Sequence, residues 1–270
     1  MSAQHQSQLA PAGNKFHVGN ATLYLGDSLA ILPSIEENSI DAVVTDPPYG
    51  ETSLTWDRRV TGWPALIRRV LKPSGSLWVF GSLRALIETS ADFAGWKMSH
   101  DVIWEKHNGT GLFNDRFRRV HEIVAHFYRD DVRWADVFKT PQFTNDATAR
   151  TVRKKGRPAQ WIGATGETLY RSEDGGPRLQ RSVLYARSEH MRGAGHPTAK
   201  PIAIIEPLLR YACPADGRVL DPFLGSGSTG IAALYLGHRF VGIEADERYF
   251  DVACRRIADA QNDLVARSRA

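Results

Sequence analysis

Apolar residues along the chain fall into two alternating spacings. Short runs rich in β-branched and aromatic residues recur at Ala21–Leu25, Asp41–Thr45, Ser76–Phe80, Met98–Glu105, Val120–Tyr128, Arg218–Leu220 and Arg239–Ile243, mostly of strand length and bounded by turn formers. Between most of them the apolar positions spread to helical spacing, at Gly62–Leu71, Leu83–Phe93, Pro201–Ala212, Thr229–Leu236 and Glu247 to about Asp263. "LKPSG" (Leu71–Gly75) and "CPADG" (Cys213–Gly217) close two of these helices with proline and glycine. Strand and helix alternate, which predicts an α/β fold built on a largely parallel seven-stranded sheet covered on both faces. The fifth run follows the fourth without an intervening helix, so one antiparallel pair is expected.

From about Asp130 to Gly195 the alternation stops. This stretch is rich in Gly, Pro, Arg and Thr, with Trp134, Phe138, Phe143, Trp161 and Tyr170 interleaved, and reads as an insertion. The expected organisation is a tail over 1–15, one half-domain over 16–129, the insert over 130–195, a second half-domain over 196–262 and a tail over 263–270.

Composition narrows the class. At 270 residues with 42% hydrophobic and 24% charged, the chain can bury a sizeable core. Residues 1–15 lack a signal-peptide apolar core and no run approaches membrane-spanning length, so a soluble cytoplasmic protein is expected. Cys213 and Cys254 are the only cysteines, and no Cys/His spacing suits zinc; no metal is expected. Between Arg150 and Arg192 ten Lys/Arg face four Asp/Glu, a balance of +6 within a chain of net +4. Such a run alone fits a solvated loop as well as a nucleic-acid footprint.

Two stretches carry candidate chemistry. "TDPPYG" (Thr45–Gly50) leaves an apolar strand through an acid, two prolines and a tyrosine. Each proline fixes its own φ, removes a donor and pushes the preceding residue towards extended backbone. A stiff segment therefore holds a carboxylate (Asp46), a free carbonyl (Pro47) and an aromatic face (Tyr49) together, although Asp before Pro is also ordinary turn chemistry. "VLDPFLGSGSTGIAALYLGHRFVGIEAD" (Val219–Asp246) places Gly225, Gly227 and Gly230 as G-x-G-x-x-G between strand and helix, with Glu244 ending the next strand. That is the spacing of a dinucleotide-binding unit, in which the acid takes ribose hydroxyls, although glycines alone also serve a tight turn needed only for strand-to-helix packing. Only one helix follows Glu244, so a second nucleotide-binding half has no room downstream. The sheet is expected to be permuted, with the Asp46 half early and the nucleoside half late.

"LGDSLAIL" (Leu25–Leu32), "DAVVTDPPYG", "RVLKPSGSLWVFG" (Arg69–Gly81), "FRRVHEIVAHF" (Phe117–Phe127), "HPTAKP" (His196–Pro201), "DPFLGSGSTG" and "VGIEAD", in that order, resemble the permuted β class of S-adenosylmethionine-dependent amino-group DNA methyltransferases. The resemblance runs from about Leu25 to Arg256 and implies a Rossmann-like seven-stranded methyltransferase sheet with one antiparallel strand and an inserted target-recognition segment. It implies that Asp46 and the Pro47 carbonyl, braced by Pro48, accept hydrogen bonds from a target amine while Tyr49 stacks on a base flipped out of the duplex. It further implies cofactor contacts from Asp221, Phe223, Gly225 and Gly227, polar contacts from Ser226, Ser228 and Thr229, a ribose contact from Glu244, an adenine contact from Asp27, and a carboxylate site at Thr198 and Lys200.

DNA contacts are expected from Arg116, Arg118 and Arg119 and from Arg153, Lys154, Lys155 and Arg157. Gln142, Asn145, Arg178, Gln180 and Arg181 are candidates for base edges. Asp at the first position of the tetrapeptide is typical of adenine-N6 enzymes and Ser commoner in cytosine-N4 enzymes, so adenine in double-stranded DNA is the expected target and cytosine the alternative. A small subunit suggests a homodimer. A catalytically silent binding protein of the same fold would be marked by a damaged tetrapeptide or glycine turn, and both are intact. Glu122 is matched in the family without an assignable role, and packing is expected for His121 and His126.

Overall fold

The computed structural model describes residues 15–54, 57–110, 114–154, 168–188 and 199–269. They form two compact units, one of residues up to Thr140 together with those from Ser182 onward, and a small one, Pro141–Arg181.

In the larger unit the strands are β1 (Lys15–Val18), β2 (Ala21–Leu25), β3 (Ile40–Thr45), β4 (Leu71–Gly81), β5 (Trp96–Thr110) and β6 (Arg119–Arg129). The small unit holds β7 (Phe143–Thr144), β8 (Arg150–Lys154), β9 (Thr168–Ser172) and β10 (Arg178–Leu179), and β11 (Val183–Tyr185), β12 (Arg218–Asp221) and β13 (Arg239–Glu244) return to the larger one. A nine-stranded sheet runs β1-β2-β13-β12-β3-β4-β6-β5-β11. Its central seven are the seven strands that the apolar pattern predicts. Within them only β6 opposes its neighbours, β4 and β5. The structure adds two short edge strands, β1 antiparallel to β2 and β11 parallel to β5.

Alternate side chains of each strand enter opposite layers. Ala42, Val44, Trp78, Phe80 and Phe240 join one core with Ile204, Ile205, Leu208, Ile231, Ala253 and Ile257. These last come from α4 (Ile202–Ala212), α5 (Ser228–Tyr235) and α6 (Glu247–Arg269). Val43, Leu77, Val79, Leu220 and Val241 enter the other core with Ile31, Trp63, Ile67 and Val70. These sit on α1 (Ser28–Ile31) and α2 (Trp63–Val70); α3 (Leu83–Glu88) follows β4. α2 shows why such a segment is helical. Its buried residues Trp63, Ile67 and Val70 share one face, Pro64 occupies the first turn, and Arg68 and Arg69 sit at the end that favours cations.

The small unit has two antiparallel pairs of its own, β7 with β10 and β8 with β9. It is narrower than the 130–195 stretch of poor periodicity, because the chain is already back in the main sheet at β11. α6 runs to Arg269, past the boundary expected near Asp263.

Candidate active site

β12 and β3 are adjacent and parallel. The helical connections from their C-terminal ends diverge, through α5 to β13 on one side and through α2 to β4 on the other. Crevices at such switch points are where open α/β sheets bind ligands. Here a cleft of ≈ 610 Å³ lies along both strand ends, lined by Thr45, Asp46, Pro47, Pro48 and Tyr49 on one wall and Asp221, Phe223, Gly225, Ser226, Ser228, Thr229 and Glu244 on the other. Thr45 Oγ1 donates to Asp221 Oδ1 at 2.8 Å and ties the walls together.

The glycine wall is built from backbone. The Gly225 N–H donates to Glu244 Oε2 at 2.7 Å and the Asp246 N–H to Oε1 at 2.9 Å, which fixes the Glu244 carboxylate at the cleft and leaves each oxygen further acceptor capacity. Burial pushes the Glu244 pKa up, against the hydrogen bonds from Asp246 and Gly225. Gly227 has φ +81° as the N-cap of α5, and a Cβ there would crowd Ala253 and Ile257 at 3.2 Å. Gly227 does not line the cleft; its part is the left-handed turn that starts the helix. A Cβ on Gly230 would meet Ile257 and Phe240 at 2.7 Å, so close helix packing requires glycine there too. Asp27 lines the cleft and caps α1, accepting from the Leu29 N–H at 2.7 Å, while the Ser28 hydroxyl donates to the Pro222 carbonyl. Asp221 accepts from the Phe223 N–H at 3.1 Å, and burial lifts its pKa to about 7. Acids at Asp27, Asp221 and Glu244 around a turn that Gly225 opens to close backbone approach fit a nucleoside.

The opposite wall is built from side chains. The Tyr49 hydroxyl donates to Asp46 Oδ1 and Lys200 Nζ to Oδ2, so both carboxylate oxygens of Asp46 are engaged. Lys200 Nζ also stands 3.6 Å from Glu122 Oε2, and Glu122 Oε1 takes the Lys106 ammonium. The Lys200, Lys106 and Glu122 side chains are only 8%, 9% and 12% exposed. Alternating signs, Asp46, Lys200, Glu122 and Lys106, let four charges share a site where single ones would be costly. Aromatic rings complete the surroundings: Lys200 lies 5.5 Å from the Phe80 centroid and Lys106 4.6 Å from that of Trp104. Burial raises the Asp46 pKa, while Lys200 opposes that shift. Burial works against the Lys200 charge, yet Asp46 and Glu122 hold its pKa above the ordinary lysine value. Glu122 is likewise opposed by burial and held low by Lys200 and Lys106. Burial, then Asp46, pushes Tyr49 well above the usual phenol, so it stays a neutral donor.

The loop after the tetrapeptide folds around Asp57, which accepts from the N–H groups of Gly50, Glu51 and Thr52 at 2.8, 3.0 and 2.7 Å. Asp57 and Lys106 escape the sequence reading, and Glu122 enters it without chemistry. Lys200, expected at a cofactor carboxylate, is placed on Asp46 and Glu122.

Of the cationic candidates, Arg119 lines the cleft and meets Glu51 at 3.4 Å. Arg116 is held by Asp115 through two 2.7 Å bonds. The Arg118 stem lies against Gly109, where a Cβ would meet its Cγ at 2.4 Å. Arg153 is exposed on β8, which also carries Lys154, and Arg178 bonds Asp146 at 2.6 Å. Lys155, Arg157 and Thr198 lie outside the described residues. His126 is fully buried beside Trp78, ring centroids 4.4 Å apart, and burial followed by His100 lowers its pKa to about 3.

Comparisons with known proteins match the chain to one family and to its fold. The model of the N6/N4 family described as DNA methylase matches residues 40–255. The chain is 27% identical over 268 residues to type II methyltransferase M2.LlaDCHI of Lactococcus lactis subsp. cremoris, covering 88% of this chain and 89% of that one. It is 28% identical over 281 residues to type II methyltransferase M.HinfI of Haemophilus influenzae, covering 90% and 70% respectively. Among solved structures, the PvuII DNA methyltransferase (cytosine-N4-specific) shares the fold with TM-score 0.64 at 18% identity, over 95% of this chain and 97% of that one. The M1.HpyAVI–SAM complex does so with TM-score 0.57 at 21% identity, over 87% and 99%.

Proposed function

Because the chain belongs to the N6/N4 DNA methylase family, whose methyl donor is S-adenosylmethionine, we propose that it methylates the N6 amine of adenine in double-stranded DNA. The observation that carries this reading is Asp46 at the end of β3, its carboxylate in the cleft that Glu244 and the glycine turn also line. Aspartate at this position, where cytosine-N4 relatives more often have serine, favours adenine.

Asp27, Asp221, Phe223, Ser226, Ser228, Thr229 and Glu244 would hold the donor, with Gly225 and Gly227 shaping the turn; when bound it supplies an electrophilic sulfonium methyl. The chain's own residues prepare the amine. Asp46 and the Pro47 carbonyl accept its two N–H groups, drawing the nitrogen lone pair out of the ring and towards the methyl. To do so the amine takes the place of the Tyr49 hydroxyl on Asp46 Oδ1, which frees the Tyr49 ring to lie over the flipped base. Lys200 stays on Oδ2 and favours the ionised form of Asp46 against the effect of burial. Glu122, itself paired with Lys106, holds Lys200. As the nitrogen takes the methyl, the bond from that carbon to sulfur would break and leave a neutral thioether, and the nitrogen would shed one N–H proton to Asp46 or to water.

Contacts to DNA phosphates come from Arg116, Arg118 and Arg119 and from the basic run containing Arg153, Lys154, Lys155 and Arg157, and the Pro141–Arg181 unit reads the sequence. We further propose a homodimer; light scattering that returns a monomer both with and without DNA removes that part.

The deciding experiment incubates the purified protein with S-adenosylmethionine and unmethylated DNA, digests the DNA to nucleosides and identifies the product by mass spectrometry. N6-methyldeoxyadenosine is expected. N4-methyldeoxycytidine would overturn the choice of base and keep the amine clamp, whereas no methylated nucleoside overturns the reading.

A further inference from the structure

The β5–β6 hairpin presents a side chain that folding does not use. Phe117 is 102% exposed, the highest value among the large hydrophobic side chains of the described residues. Isolated apolar residues on a surface are ordinary; the setting of this one is not. It stands in "RFRR" between Arg116 and Arg118, and Arg119, two residues on, lines the catalytic cleft and meets Glu51 on the rim of the Asp46 wall. Two residues of extended chain span at most roughly 7 Å, so the backbone at Phe117 stays close to that of a residue whose side chain lines the cleft. The Arg118 stem packs against Gly109 on the facing strand.

A base that leaves the duplex leaves a gap between its stacked neighbours, and an aromatic ring carried among cations that neutralise phosphates is suited to fill it. We propose that Phe117 enters the duplex in place of the extruded base and holds the open state while Asp46 engages the amine. This inference rests on the DNA amino-methyltransferase reading above. It assigns Phe117 a positioning role, because the ring would touch the bases flanking the target and not the reacting atoms.

The test compares wild type, Phe117→Ala and Phe117→Trp on two duplexes carrying a site identified by sequencing methylated DNA. One is fully paired and the other places an abasic position opposite the target, so that extrusion breaks no base pair. Single-turnover methylation is measured on these duplexes, and extrusion is followed separately, by fluorescence, on counterparts in which 2-aminopurine replaces the target base. Phe117→Ala is expected to lower the rate on the paired duplex roughly tenfold, to reduce the fluorescence rise, and to stay within about twofold of wild type on the abasic duplex. Phe117→Trp is expected to retain most of the wild-type rate. An unchanged rate on the paired duplex, or equal loss on both, overturns the proposal; equal loss would mean contact with the flipped base itself. The ring is fully exposed, so melting temperature and cofactor affinity are expected to be those of wild type. Wild type that methylates neither duplex overturns the functional reading itself, and the proposal with it.

Discussion

The two walls of the cleft rise from neighbouring strands and are made differently. The glycine wall holds its key acid with backbone N–H groups of Gly225 and Asp246, 19 and 2 residues from Glu244 in sequence. The Asp46 wall holds its key acid with side chains, one of them Lys200, 154 residues away, backed by Glu122 and Lys106. A backbone cradle carries no titrating group in its scaffold and forms whenever the turn forms. A charged relay depends on distant elements meeting, and on every member keeping its proton count. Cofactor binding should therefore tolerate changes that acceptor chemistry does not.

The strongest way to break this contrast is Asp46→Ala. Methyl transfer should fall by roughly 10³-fold or more, while the dissociation constant for S-adenosylmethionine, measured by calorimetry, stays within a few-fold. Parallel loss of both would show that the walls are not separable. A subtler change, Glu122→Gln, keeps the shape of the relay and removes one charge. Turnover is expected to drop roughly tenfold near neutral pH. Lys200, now with one carboxylate instead of two, loses its proton at lower pH, and Asp46, relieved of a neighbouring anion, ionises at lower pH. Both limbs of the pH–rate profile should thus move acidward. A residue that merely supports the fold would lower the rate without moving either limb.

The smallest effect concerns the joint between the walls. Asp221 has a folded pKa of about 7, raised above its unfolded value. The sign follows from linkage: its neutral form suits the folded state, so its contribution is fully present below the unfolded pKa and is lost as pH rises through about 7. Asp221→Asn, which can still accept from Thr45, should gain about 2–4 °C in melting temperature relative to wild type between pH 5 and pH 8. A difference that does not change with pH would place the high pKa in doubt.

The same contrast explains what the sequence made legible. The tetrapeptide and the glycine turn act through local backbone constraints, proline φ and left-handed glycine, so their chemistry can be read from a dozen residues. The seven central strands are legible for a similar reason, since each feeds one core or the other by simple alternation. Lys106 and Glu122 are not, because their meaning lies in a pairing across β5 and β6 and in the approach of Lys200 from another part of the chain. Asp57 gives no local signal either; it is a cap for three N–H groups that only the folded loop brings together. β11 has three residues, Val183–Tyr185, too few for a periodicity, and is a strand only because β5 offers a partner edge. The last turns of α6 extend past Asp263 through "LVARSR", where no glycine or proline marks a stop.

The small unit is attached at two fixed posts. Before it, the Thr140 N–H donates to the Tyr211 carbonyl at 2.8 Å, and after it the Ser182 carbonyl accepts from the Ile103 N–H at 2.7 Å. Both posts belong to the larger unit and are made by backbone groups alone, so the bonds that bracket the small unit ask nothing of the side chains inside it.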